Sequence, residues 1–179
     1  EAFAEVFDIR VLKVYDLNSS ASEKLKKDLH GKIHGNIRVC QNPIEASEAD
    51  VIVTVTHATE PFLRDDWVSP GTVVFAMGSF QECEEALILN SDRIVVDHIE
   101  QALHRGSLKK LTQAGRISEK DIHATIGEIV AGKKPPRSSE KERIFCEPIG
   151  TGAMDVTLAT MVYEKARALP GMESFDFTA

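Results

Sequence analysis

A short run of β-formers near the amino end closes on an acid: Arg10 to Asp16 reads RVLKVYD. A carboxylate at the carboxyl end of a parallel strand can take both hydroxyls of a ribose as donors, and its charge repels a 2′-phosphate. The plainer reading of Asp16 is a solvated acid at a strand end. Further on, Thr56-His57-Ala58 runs off the apolar stretch VIVTVT, and Gly78-Ser79 runs off TVVFAM. Ligands of open α/β sheets sit at that carboxyl edge. Thr56, His57, Ala58, Gly78 and Ser79 are therefore candidates to line a crevice, with Gly78 allowing close approach of backbone to a flat ring. The alternatives are a helix cap at Thr56, a loop imidazole without a role at His57 and an ordinary turn at Gly78. Between the last strand and the last helix the chain reads IGTGAMD, and the backbone N–H groups around Gly152 are placed to meet an anion. There the alternative is that Asp155 simply caps the helix.

These positions together read as the edge of a dinucleotide site, with NAD preferred over NADP because of Asp16. In that motif the acid lies about 20 residues after a Gly-rich turn, and counting back from Asp16 passes Glu1. The expectation is a chain cut at its amino end, without the glycine turn or the strand before it, that does not bind NAD as it stands. Other chemistry is thinly represented. Cys40, Cys83 and Cys146 are odd in number and fit no metal spacing, so no metal is expected and a reduced, cytoplasmic setting is the simplest reading. His98 and His104 are structural or solvated, and His30, His34 and His123 suggest nothing specific. Glu82, Glu84 and Glu85 read as a solvated helix face. A net charge of −7 argues against a nucleic-acid surface, and no apolar run reaches the length of a membrane span.

Strands are expected at 10–15, 36–40, 51–56, 72–77, 93–97 and 144–147, joined into one mainly parallel sheet with helices on both faces. Helices are expected at 19–30 (N-cap Ser19 or Ser20, stop Gly31), 82–89, 99–105, 108–114 and 122–130, with a helical turn at 42–48. Residues 132–143, GKKPPRSSEKER, read as an exposed loop in which Lys133 or Arg137 could touch a phosphate. The helix at 154–169 has two apolar rows, more than one sheet face needs. It should be covered by another copy or leave an apolar patch.

The order of these pieces resembles the ornithine cyclodeaminase and μ-crystallin family from about Arg10 to Arg167. The most specific are DRIVVD at 92–97 with QALHRG at 101–106, and Gly127-Glu128 followed by Gly132-Lys133. The resemblance implies a two-domain, usually dimeric protein that moves a hydride at the α-carbon of a small amino or imino acid, ending in deamination and cyclisation or in plain oxidoreduction. It also implies that the catalytic lysine and the substrate-carboxylate site lie outside this chain. Deaminase members carry a proton-transferring acid just after the Gly-Ser of the strand at 72–77. Here that position is Phe80, which can move no proton, so the catalytic residues of this chain are unknown.

The fold expected is a Rossmann-like, doubly wound α/β domain over 1–179 that lacks its first strand and Gly-rich loop. Residues 150–179 should pack on an absent amino-terminal substrate and dimerisation domain. The functional expectation is the NAD-binding portion of a cyclodeaminase-like enzyme; the alternative is a non-catalytic, μ-crystallin-like NAD(P)-binding or partner-binding protein.

Overall fold

The structure is a computed structural model that describes residues 2–78 and 80–171. Seven strands run in chain order: β1 (Val11–Val14), β2 (Asn36–Val39), β3 (Val51–Thr54), β4 (Val73–Ala76), β5 (Arg93–Val96), β6 (Ile122–Thr125) and β7 (Ile144–Glu147). The helices are α1 (Ser19–Leu29), α2 (Pro43–Ser47), α3 (Glu85–Leu89), α4 (Ile99–His104), α5 (Leu108–Gln113), α6 (Ile126–Val130) and α7 (Gly152–Ala166). Every strand pair is parallel.

The strands do not form the one sheet expected. β1 and β2 pair alone, while the other five run β3-β4-β7-β5-β6. Sequential strands β2 and β3 do not pair, so the outer edges of β1 and β3 carry no strand among the described residues. The last strand returns to the centre of the larger sheet, between β4 and β5, because all four of its residues can be buried.

Alternation along the strands builds two unequal cores. Val74, Ile94, Val96 and Phe145 face one way, onto Leu87, Ile88, Ala102, Leu108 and Leu111 of α3, α4 and α5. Each such aliphatic or aromatic side chain, once buried, contributes roughly 1.5–3 kcal/mol. Val95, Ile144 and Cys146 face the other way, onto Ile126 and Ile129 of α6. That second face is thinly covered: Phe75 meets Phe3 edge-on at 5.8 Å, and Val51 and Val53 stay exposed.

Three local expectations change. Residues 122–130 are not one helix, because Ile122 and Ala124 alternate inward as a strand and α6 begins only at a reciprocal cap. In that cap the Glu128 N–H donates to Thr125 Oγ1 at 3.2 Å and the Thr125 N–H donates to Glu128 Oε2 at 2.8 Å. The N-cap of α1 is Asn18, which accepts from the Ser20 N–H at 3.1 Å, rather than either serine. At α7 the N-cap is Thr151 with no side-chain cap, so Asp155 does not close that helix end as read.

The segment 132–143 is pinned at the amino edge of the sheet rather than free. Arg93 at the start of β5 clasps Glu142 (Nε to Oε2, 2.8 Å) and donates to Ser138 Oγ at 2.6 Å. Arg143 reaches Asp65 Oδ1 at 2.6 Å and the Val68 and Asn90 carbonyls. Arg137 donates to the Gly71 and Glu140 carbonyls, so it is spent within the chain, at the end opposite the crevice. The Arg93 guanidinium, helped by the Ser138 N–H, holds the Glu142 carboxyl down at about 2. A depressed acid stabilises the fold above its ordinary value of 4.5 and loses that contribution as pH falls toward 2. Urea midpoints of the native chain should therefore drop between pH 4.5 and 2.5 more steeply than those of Glu142→Gln. Parallel curves would show that this clasp adds nothing to acid resistance.

Candidate functional site

Because the five strands are parallel, their carboxyl ends share one edge, and the side chains there are held by two buried acids. Glu82 belongs to the loop after β4 and is fully buried. It does not lie on a solvated helix face, since α3 begins only at Glu85. Its carboxylate accepts from Thr54 Oγ1, the Thr56 N–H and Thr56 Oγ1, each at 2.6 Å, and from the Gly78 N–H at 2.9 Å. Glu82 thus ties the ends of β3 and β4 to each other. Gly78 is a glycine for this reason, since a Cβ there would collide with the Glu82 carboxyl group.

Glu147 closes β7 and is 2% exposed. Its Oε1 accepts from the Ser107 N–H and its Oε2 from the Leu108 N–H at 3.4 Å, at the start of α5. Gly106, with φ +62°, gives it room, because a Cβ there would strike the same carboxyl. Burial pushes Glu147 up to about 7; the Ser107 and Leu108 N–H groups pull back, and the nearby Asp97 charge adds to the rise. Asp97, after β5, accepts from the Gly150 N–H at 2.6 Å and so fixes the exit from β7. Between the ends of β4 and β7 lies a cleft of about 230 Å³, walled by Met77, Gly78, Arg105, Gly106, Glu147 and Ile149.

The residues singled out from sequence fall into three places. Thr56 and Gly78 meet at Glu82, and the Thr56 hydroxyl is spent there and on the Ala58 N–H at 3.2 Å, so its polar face turns into the chain. His57 is exposed beside them. Asp16 lies in the other sheet, exposed just beyond β1, where its Oδ1 accepts the Asn18 N–H at 2.7 Å and orders the turn into α1. Gly152 opens α7 with open space where a Cβ would be, and it does not line the cleft. Ser79 lies outside the described residues. Phe80 is 51% exposed, while Glu82, two residues on, carries the acid of that loop inward.

Other chemistries find no support on this edge. The three cysteines are free and buried, and burial pushes Cys146 up to about 12, so a thiolate nucleophile is disfavoured. His98 caps α4 by accepting the Gln101 N–H, His104 Nδ1 pairs with the Glu100 carbonyl, and His123 sits with Arg93 at the amino edge. Among the described residues no three His, Cys, Asp or Glu side chains converge as a metal site, and no helix is long and apolar enough to cross a membrane. What the edge offers is a narrow cleft with a buried carboxyl at its floor.

Two of these acids carried no sequence signal. Glu82 was hidden in the polar run QECEE, and Glu147 in a strand whose central position was not evident.

Known proteins resemble this chain over most of its length. The chain is 37% identical over 169 residues to the alanine dehydrogenase of Archaeoglobus fulgidus, covering 93% of this chain and 52% of that protein. It is 33% identical over 172 residues to the Delta(1)-pyrroline-2-carboxylate reductase of Bacillus cereus, covering 93% and 53%. An archaeal alanine dehydrogenase dimer with bound NAD superposes with a TM-score of 0.89 at 35% identity, over 98% of this chain and 55% of that one. The chain therefore spans about half the length of the relatives it matches. The sequence model of the ornithine cyclodeaminase/mu-crystallin family matches residues 1–169, and the chain belongs to that family.

Proposed function

We propose that residues 1–179 form the nucleotide-binding part of an enzyme that uses NAD to move a hydride at the α-carbon of a small α-amino or imino acid. The observation that carries this reading is the exposed carboxylate of Asp16 beyond β1, in a fold that superposes on an NAD-bound relative. NAD, when bound, takes or returns the hydride. Asp16 accepts the adenosine ribose hydroxyls and disfavours a 2′-phosphate. Thr56, His57, Ala58 and Gly78 form the crevice wall, with Glu82 holding the Thr56–Gly78 edge in place. The free N–H groups at Gly152 face an anionic part of the ligand.

The relatives' extra length supplies the substrate half, and α7 docks there within a homodimer. Helix α7 buries none of its residues and exposes Met154, Val156, Leu158, Met161 and Val162, an apolar surface that calls for a protein partner. The free thiols favour a reducing compartment, the cytoplasm. A second reading, a non-catalytic NAD(P)-binding or partner-binding protein, draws on the exposed Phe80, an aromatic ring where the family resemblance implies an acid.

Calorimetric titration of NAD and NADP into the full gene product and into residues 1–179 tests the reading. NAD should bind the full product more tightly than NADP. No Gly-rich turn precedes β1 in residues 1–179. Several charge-assisted hydrogen bonds to the pyrophosphate are then missing, at about 1.5–3 kcal/mol each, so these residues alone should bind at least about a hundredfold more weakly. NADP preference in the full product, or equally tight binding by 1–179, would overturn it.

A further inference from the structure

We propose that Glu147 makes the cleft between β4 and β7 select the oxidised, positively charged nicotinamide ring over the neutral reduced ring. The inference rests on the nucleotide reading above and extends it to the redox state of the ligand. If Asp16 holds the adenosine half beyond β1, the dinucleotide crosses the switch in strand order and its other half comes to the ends of β3, β4 and β7. There, between strand ends, lies the cleft of about 230 Å³, room for a ring rather than for a whole dinucleotide.

One acid lines that cleft and two more stand behind its walls. Glu147 lines it directly, Glu82 lies against Gly78 on the β4 side, and Asp97 stands at the end of β5. Among the cations, Arg105 also lines the cleft but is exposed, as are Lys109 and Lys110 on α5. His104, on α4, points its Nδ1 at its own helix through the Glu100 carbonyl. The thiols of Cys83 and Cys146 stay protonated because burial raises both. A buried carboxylate acts on a charge within the cleft through low-dielectric surroundings, whereas the solvated cations are screened. The oxidised ring carries a positive charge and the reduced ring none, so the field discriminates between forms that are nearly the same in shape.

Glu147 also makes the preference depend on pH. Its carboxyl ionises at about 7, so protonated Glu147 contributes little discrimination and ionised Glu147 contributes it in full. By linkage, a ligand that prefers the ionised form by a given factor lowers the acid's titration midpoint by the logarithm of that factor. For a partly screened charge pair we expect about tenfold, equivalent to about one pH unit.

The test is binding, without turnover. Affinities of the full gene product for NAD+ and NADH are measured by calorimetry from pH 5.5 to 8.5, beside the 13C titration of the Glu147 carboxyl. The ratio of NADH to NAD+ dissociation constants should rise about tenfold across neutrality, and saturating NAD+, but not NADH, should lower the Glu147 midpoint by about one unit. Glu147→Gln should flatten the ratio while both forms still bind, which separates Glu147 from His104. The wild-type curves decide the matter even if that variant fails to fold. A flat ratio with both forms bound overturns this proposal alone. Failure of both forms to bind at every pH overturns the nucleotide reading and this proposal with it.

Discussion

Replacing Glu82 with alanine is expected to destabilise the chain by about 3–5 kcal/mol, a large share of what a domain of this size holds in reserve. The expectation follows from four donors that converge on one fully buried carboxylate: two threonine hydroxyls and two backbone N–H groups. Alanine leaves the N–H groups of Thr56 and Gly78 buried without an acceptor, and each such orphan costs about 1–3 kcal/mol. The hydroxyls can turn elsewhere, but the backbone cannot without pulling apart the ends of β3 and β4. Glu82→Gln is milder, about 1–3 kcal/mol, because its oxygen still accepts while its amide nitrogen meets donors. Urea unfolding of the three proteins measures the series. A Glu82→Ala midpoint within roughly 0.3 M of wild type would show that water replaces the carboxylate without loss.

Stability should also fall as pH rises from 4.5 to 7, contrary to the usual behaviour of an acidic protein in that range. Glu147 is raised from 4.5 to about 7 in the fold. Between those values the native state holds a proton that the unfolded chain has given up, so folding weakens with rising pH. The penalty is absent below 4.5, grows through the interval and is complete above 7. A rise of this size corresponds to about 3 kcal/mol at 1.36 kcal/mol per unit. Glu147→Gln carries no such titration and should be flat over the same interval, exceeding wild type above pH 7. Urea midpoints at pH 5, 6, 7 and 8 separate the cases. A wild-type midpoint that is constant or rises with pH would contradict the burial of Glu147 as the dominant influence. The Glu142 clasp does not interfere, because its window lies below 4.5.

How far the sequence foretold this molecule depended on how local each signal was. Strands β3, β4, β5 and β7 announce themselves as β-branched or apolar runs, and α1 and α5 as segments stopped by glycine. The family resemblance likewise survives because it rests on the order of many short pieces. The strand order does not announce itself. Nothing within Ile144 to Glu147 says that it lies between β4 and β5, and only the pairing of distant segments decides that. The strand at Ile122–Thr125 was masked by the apolar helix directly after it, although the Thr125-x-x-Glu128 cap marks the boundary. The two acids failed for a physical reason: an acidic residue is read as solvated unless its donors are known. Those donors come from up to 40 residues away, as with Glu147 and the Ser107 N–H. The place of Asp16 just beyond β1, by contrast, was legible because the strand before it is itself the signal.

Each buried acid comes with a missing methyl group. Gly78 makes room for Glu82, and Gly106 for Glu147. In the vocabulary of sequence change, each pair is a two-letter word rather than two independent letters. Alanine at 78 is incompatible with glutamate at 82 and becomes accessible only after the acid is shortened or lost. A path by which related chains drift at this edge therefore has an order: the carboxylate goes first and the glycine is released afterwards. Gly106 keeps a second restraint, its positive φ, so even after Glu147 is gone it is the slower of the two glycines to be replaced.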